Sequence, residues 1–203
     1  MPRALLIFAH PAFEHSRAHR LLLQNLPNDP RLTFHDLYEQ YPDFFIDVDR
    51  EQALLREHDV VIWQHPVYWY SCPPLLKQWI DLVLAFGWAY GPGGNALKGK
   101  RLLQAVSTGG GQHAYRLEGF HQHTLRQFLL PFEQTARLCG LVYLPPFVAF
   151  GTHRLTDEAL FDFSLTYAQL LRHLLDDEDG TFTQRLLRCE YANDCLTAPF
   201  FLP

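Results

Sequence analysis

Four near-continuous apolar runs recur along this chain: residues 3–9 (RALLIFA), 59–65 (DVVIWQH), 101–107 (RLLQAVS) and 142–150 (VYLPPFVAF). A run that is apolar on both alternating faces suits a parallel strand covered by helices on each side. A fifth run, 31–38 (RLTFHDLY), is polar enough for a sheet edge. Helix-period segments lie between them at 17–26, 49–57, 73–86, 118–138 and 156–175, the last entering the acidic stretch Asp176, Asp177, Glu178, Asp179 and Gly180. Alternating strand and helix signals predict a five-stranded parallel sheet with right-handed crossovers and helices on both faces. Ligands of such sheets sit beyond the carboxyl ends of the strands, where strand order reverses. The loops after 3–9, 59–65 and 101–107 should therefore meet in space.

Those loops are the chemically unusual parts of the chain: HPAFEHSR, HPVYWYSCPP and STGGGQHAY. The first joins a strand to a helix start, where amides without intrahelical partners and the positive end of the helix dipole favour an anion. It has neither GxGxxG nor GxxxxGK[ST], so a phosphate there would be held by His10, Ser16 and Arg17 beside backbone amides. The competing reading makes Ser16 a plain N-cap and Arg17 a solvated residue. The second loop concentrates Tyr68, Trp69 and Tyr70, which suit a flat ring, another subunit or packing under the helix beginning at Pro73-Pro74. In the third, Ser107, Thr108, Gly109, Gly110 and Gly111 let the backbone approach a ligand closely and offer amides to carbonyl oxygens. Tyr115 and His121 follow, a phenol and an imidazole that could supply or stabilise a proton, or equally be surface residues.

With a net charge of −5 and scattered Lys and Arg, the chain has no basic stripe, and no nucleic-acid partner is expected. No apolar run reaches the length of a membrane span, and one Arg before six apolar residues is no signal peptide, so a cytoplasmic location is expected. Cys72, Cys139, Cys189 and Cys195 form no CxxC pair and are read as reduced thiols. His121 and His123 lack further ligands at metal spacing, and Asp47 and Asp49 read as helix-start acids, so no metal site is expected.

The A-H-P turn, HDLYEQYPDFFIDVDREQALLREHDVVIWQHP, WYSCPPLLKQWID, GWAYGPGGNALKGK and TGGG carry a further signal. Over about residues 3–175 the chain resembles the flavodoxin-like NAD(P)H:quinone oxidoreductases, and within them the ancillary proteins of bacterial glutathione-gated (Kef-type) potassium-efflux systems. The resemblance implies a flavodoxin-like three-layer sandwich of strand order 2-1-3-4-5 spanning 1–180, with 181–203 an extension of unknown role that could dock on a partner subunit. It implies FMN, with FAD the alternative flavin, in a homodimer whose subunits jointly frame each site. The flavin phosphate falls to His10, Ser16, Arg17, Ala18 and His19, the last standing where the family usually has Asn. The ring falls to Val67, Tyr68, Trp69, Tyr70, Thr108, Gly109, Gly110 and Gly111. YRLEGFH aligns with the Tyr and His that stabilise reduced flavin in quinone reductases, making Tyr115 and His121 the catalytic candidates. The implied activity is two-electron reduction of quinones or related electrophiles by NAD(P)H, in a pocket lined by Trp69, Tyr70 and Phe120 with Trp88 and Tyr90 of the other subunit. The alternative is a regulatory subunit activating a potassium/proton antiporter, peripheral at the inner face of the cell membrane.

Overall fold

The computed structural model describes residues 1–197. Its centre is an all-parallel sheet of β1 (Ala4–Phe8), β2 (Leu32–Asp36), β3 (Val60–Pro66), β4 (Arg101–Ser107), β5 (Val142–Tyr143) and β6 (Phe147–Ala149). The strand order is β2-β1-β3-β4-β5, with β6 also paired to β4. β1, β3 and β4 are buried almost throughout, as their unbroken apolar runs require. Alternate residues feed two cores: Leu5, Ile7, Val61, Trp63 and Leu102 on one face, Leu6, Phe8, Ile62 and Leu103 on the other.

The expected strand at 142–150 is two short strands instead of one. β5 pairs Val142 and Tyr143 with Arg101 and Leu102, and β6 pairs Phe147–Ala149 with Ala105–Ser107. Pro145 and Pro146 fall between them, and proline has no N–H to give the ladder. The sheet therefore has six strands where five were expected, although one edge position is shared.

The helices are α1 (Arg17–Gln24), α2 (Leu37–Gln40), α3 (Val48–Glu57), α4 (Pro74–Val83), α5 (Leu125–Phe128), α6 (Leu130–Leu138), α7 (Asp157–Asp176), α8 (Thr181–Leu186) and α9 (Ala192–Thr197). The run 31–38 leaves the sheet at Asp36, whose carboxylate caps α2 through the Tyr38 and Glu39 amides. The expected helix over 118–138 starts only at α5, where Thr124 and Gln127 form a capping box, and is interrupted before Pro131. Asp47 caps α3 by accepting from the Arg50 amide. Among the described residues no helix is long and apolar enough to cross a membrane.

α8 and α9 pack on α7 and β6, placing Leu186, Ala192 and Cys195 in the second core. The Asn193 side chain works like a short strand: its Oδ1 accepts from the Val148 N–H at 2.9 Å and its Nδ2 donates to the Val148 carbonyl at 3.1 Å. An open sheet edge is thereby covered from within the chain. Of the expected extension 181–203, residues 198–203 lie outside the described residues.

A buried carboxylate knits α3 to the first core. Glu51 accepts from His35 Nε2 at 2.9 Å, Tyr41 Oη at 2.6 Å and Trp79 Nε1 at 2.7 Å. Burial alone would raise its pKa, but those donors outweigh it and hold the carboxyl below the usual carboxylate range.

Candidate active site

A cleft of about 670 Å³ opens at the carboxyl ends of β1, β3 and β4, where the sheet's order reverses. His10, Ser16, Arg17, Ala18, His19, Val67, Tyr68 and Gly109 line it, together with His15, Ser107, Thr152 and His153. Four imidazoles and one guanidinium face it, and no carboxylate is among the lining residues. The cleft suits an anion.

Each donor is set by a local device. Ser16 is the N-cap of α1, its hydroxyl accepting from the His19 amide at 3.3 Å, so the first-turn amides of Arg17 and Ala18 have no intrahelical acceptor. His10 Nδ1 accepts from the Ala12 amide at 3.2 Å, which leaves the ring proton on Nε2. Burial, partly countered by Glu14, lowers the His10 pKa, so near neutral pH it is an uncharged donor.

His19 is more deeply embedded. Its Nε2 stands 2.9 Å from Ser107 Oγ and its Nδ1 3.3 Å from Gln64 Nε2, while Gln64 Oε1 accepts from Tyr167 Oη at 3.0 Å. The Tyr167 proton orients the Gln64 amide, the amide donates to Nδ1, and Nε2–H donates to Ser107. The Ser107 hydroxyl proton is then left to point at a ligand. Burial, followed by the neighbouring His10 and His65, holds the His19 pKa well below its ordinary value. Beside this chain His65 donates from Nδ1 to the Pro66 carbonyl and faces Gln104 from Nε2; burial pushes its pKa down to about 4.

Arg17 does two things. Its guanidinium lines the cleft and also bonds Asp157 Oδ1 at 3.0 Å and the carbonyls of Thr152 and Leu155 at 2.9 and 2.6 Å. It thereby anchors the 152–155 loop, which sequence analysis did not associate with the site. That loop is also tied to the glycine loop by Gly151 N to Gly110 O at 2.9 Å and Thr152 N to Thr108 O at 2.9 Å. Its His153 ring lies so near Gly109 that a Cβ there would meet Cδ2 at 2.7 Å.

The aromatic loop turns sharply on itself. Tyr68 and Ser71 exchange backbone hydrogen bonds, and the two residues between them, Trp69 and Tyr70, have positive φ of 48° and 63°. Non-glycine residues held in this region mark a tight turn under constraint. Trp69 is 93% exposed, so it does not pack beneath α4. Tyr70 is half exposed and lies 4.7 Å from the Phe128 ring and 5.5 Å from the His121 ring.

Tyr115 and His121 meet each other with ring centroids 4.5 Å apart, although neither lines the cleft itself. They stand against the glycine loop: a Cβ at Gly110 would lie 3.3 Å from Tyr115 Cε2 and 3.5 Å from His121 Nε2. Burial raises the Tyr115 pKa, and a hydrogen bond with the Thr108 side chain partly offsets it. His121 Nδ1 is buried with no hydrogen-bond partner among the described residues. Thr108 donates to the Gly110 carbonyl at 2.8 Å, fixing the loop.

A profile of the family described as flavodoxin-like fold matches residues 2–172. The glutathione-regulated potassium-efflux system ancillary protein KefG of Yersinia enterocolitica is 45% identical over 171 residues, covering 84% of this chain and 93% of that protein. The crystal structure of general stress protein 14 from Treponema denticola in complex with FMN is 41% identical, with a TM-score of 0.81 over 85% of this chain and 99% of that one. An NADPH-quinone reductase of P. pentosaceus is 32% identical, with a TM-score of 0.75 over 82% of this chain and 96% of that one.

Proposed function

The chain belongs to the flavodoxin-like NAD(P)H quinone reductase family, and on that premise we propose that it is an FMN-dependent NAD(P)H dehydrogenase reducing quinones or related electrophiles by two electrons. The observation that carries this reading is the carboxylate-free cleft of donors beside the Tyr115–His121 pair. These residues fit FMN: its phosphate suits the α1 amides of Arg17 and Ala18 with Ser16, Arg17 and His10, and its ring suits Val67, Tyr68, Trp69, Tyr70 and the loop Thr108–Gly111. His19 contributes indirectly, by turning the Ser107 hydroxyl toward the ligand.

FMN held there would supply a ring able to accept a hydride, with negative charge growing on it as it is reduced. The amides of the glycine loop, Tyr115 and His121 are the groups that would answer that charge by donating hydrogen bonds to it, an interaction strongest as the charge develops. NAD(P)H and quinone share the pocket in turn, so the kinetics are ping-pong. Trp69, Phe120, Phe45 and Phe86 are large aromatics left exposed, which supports a homodimer with subunits covering each other's sites.

The similarity to KefG favours a second reading, in which the protein activates a potassium/proton antiporter and turnover is incidental. Steady-state oxidation of NAD(P)H by quinones separates the two. The proposal expects saturable turnover with parallel double-reciprocal lines; flavin binding without turnover gives the position to the regulatory reading.

Arg17 tests the phosphate assignment. Arg17→Ala should weaken FMN by about 1.5 to 3 kcal/mol, the range for a charged hydrogen bond, and riboflavin by less. Titration of both ligands reads the contrast. Equal losses would limit Arg17 to anchoring the 152–155 loop.

A further inference from the structure

Two thiols in the final helices have no part in the flavin chemistry, and the fold places them side by side. Cys189 lies in the turn after α8 and Cys195 on α9, and Arg185 touches both side chains. Cys189 Sγ also approaches the Arg185 carbonyl at 3.7 Å. Arg185 holds Cys195 at two points, from Nε to Sγ at 3.1 Å and from the guanidinium to the Cys195 carbonyl at 2.8 Å. Cys189 is partly exposed, and Cys195 is buried. Cys72 and Cys139 belong to the core on the opposite face of the sheet, each with its thiol pKa raised by burial.

We propose that Cys189 and Cys195 form a dithiol modification site, separate from the cleft, that reacts with low-molecular-weight disulfides and closes to an intrachain disulfide. The Cys189 thiolate attacks one sulfur of the small disulfide, forming a mixed disulfide and releasing one small thiol. Cys195 then attacks the Cys189 sulfur and releases the second. Two protein thiols lose two electrons and two protons, and the small disulfide gains both.

Several features support this closure. Bond formation requires the two sulfurs, both already held against Arg185, to reach about 2.05 Å. The turn between them is short, and Arg185 already fixes Cys195 while its carbonyl lies against Cys189. Against it, burial first and contact with Cys195 second push the Cys189 thiol up to about 11, which keeps the thiolate scarce near neutral pH, so the reaction is slow there and quickens as pH rises. The ring would enclose Asn193, whose side chain is paired to Val148 of β6, and would fasten that cover on the sheet edge.

The test incubates the full chain with excess oxidised glutathione at mildly alkaline pH, alkylates the remaining thiols and digests with trypsin. Cleavage after Arg188 releases residues 189–203, which contain both cysteines. The expected peptide is unalkylated and two hydrogens lighter, while Cys72 and Cys139 are alkylated after unfolding. Cys195→Ser should stop at a glutathione adduct on Cys189. Three results for the wild-type protein would overturn the proposal: both thiols retained, a persistent glutathione adduct on Cys189, or chains joined through Cys189. The wild-type measurement needs neither flavin nor a folded variant.

Discussion

Replacing Tyr115 by Phe or His121 by Gln should slow bleaching of the bound flavin by NAD(P)H by about 10- to 10³-fold each, the range for a positioned proton-handling group. Tyr115→Phe removes only the hydroxyl, and His121→Gln keeps bulk while losing the ring. On the proposed mechanism both act where charge appears during reduction, so FMN affinity should change little while the reductive rate falls. The rings stand 4.5 Å apart against Gly110, so the double variant should lose less than the product of the single losses. Stopped-flow absorbance on FMN-loaded proteins gives all three rates. Unchanged rates with intact FMN binding would remove the pair from the chemistry and strengthen the regulatory reading.

Glu51→Leu should be the most damaging single substitution for stability outside the cleft, at about 3 to 5 kcal/mol, because it strands three buried donors at once. Trp79 Nε1, Tyr41 Oη and His35 Nε2 would all lose their acceptor. The same carboxylate sets an acid limit. Its folded pKa is depressed, so its contribution is fully present above the unfolded value of about 4.3 and is lost as pH falls through the folded value. Urea unfolding from neutral pH down to pH about 3 should therefore show the wild type losing stability more steeply than Glu51→Gln. Parallel curves would show that Glu51 contributes nothing through its charge.

The sequence made the scaffold legible because burial on both faces leaves an unmistakable apolar run. Three such runs became β1, β3 and β4 nearly residue for residue. It misjudged the fourth because Pro145 and Pro146 are apolar by composition yet cannot donate to a ladder. It extended a helix back to 118 because spacing alone does not show that Thr124, capping with Gln127, is where the helix begins.

The lining of the candidate cleft was legible at its loops and hidden in its supports. His10, Ser16, Arg17 and the glycines stand at chain positions where strand-to-helix turns announce themselves. Gln64, Gln104, His65 and Tyr167 are single polar residues inside buried elements, and their role depends on partners as distant in sequence as Gln64 and Tyr167. His153 follows β6, the strand that the proline pair disguised. The anchoring role of Arg17 joins residues about 140 positions apart, which no local pattern records.

Flavin binding in the cleft is what every proposed role of these residues requires. The direct measurement is titration of the purified chain, stripped of bound small molecules, with FMN, read by quenching of flavin fluorescence and followed by addition of NADPH or NADH. Saturation at one FMN per chain, with bleaching of the bound flavin by a reduced nicotinamide, is the result predicted. A chain that leaves micromolar FMN and FAD free in solution would contradict it.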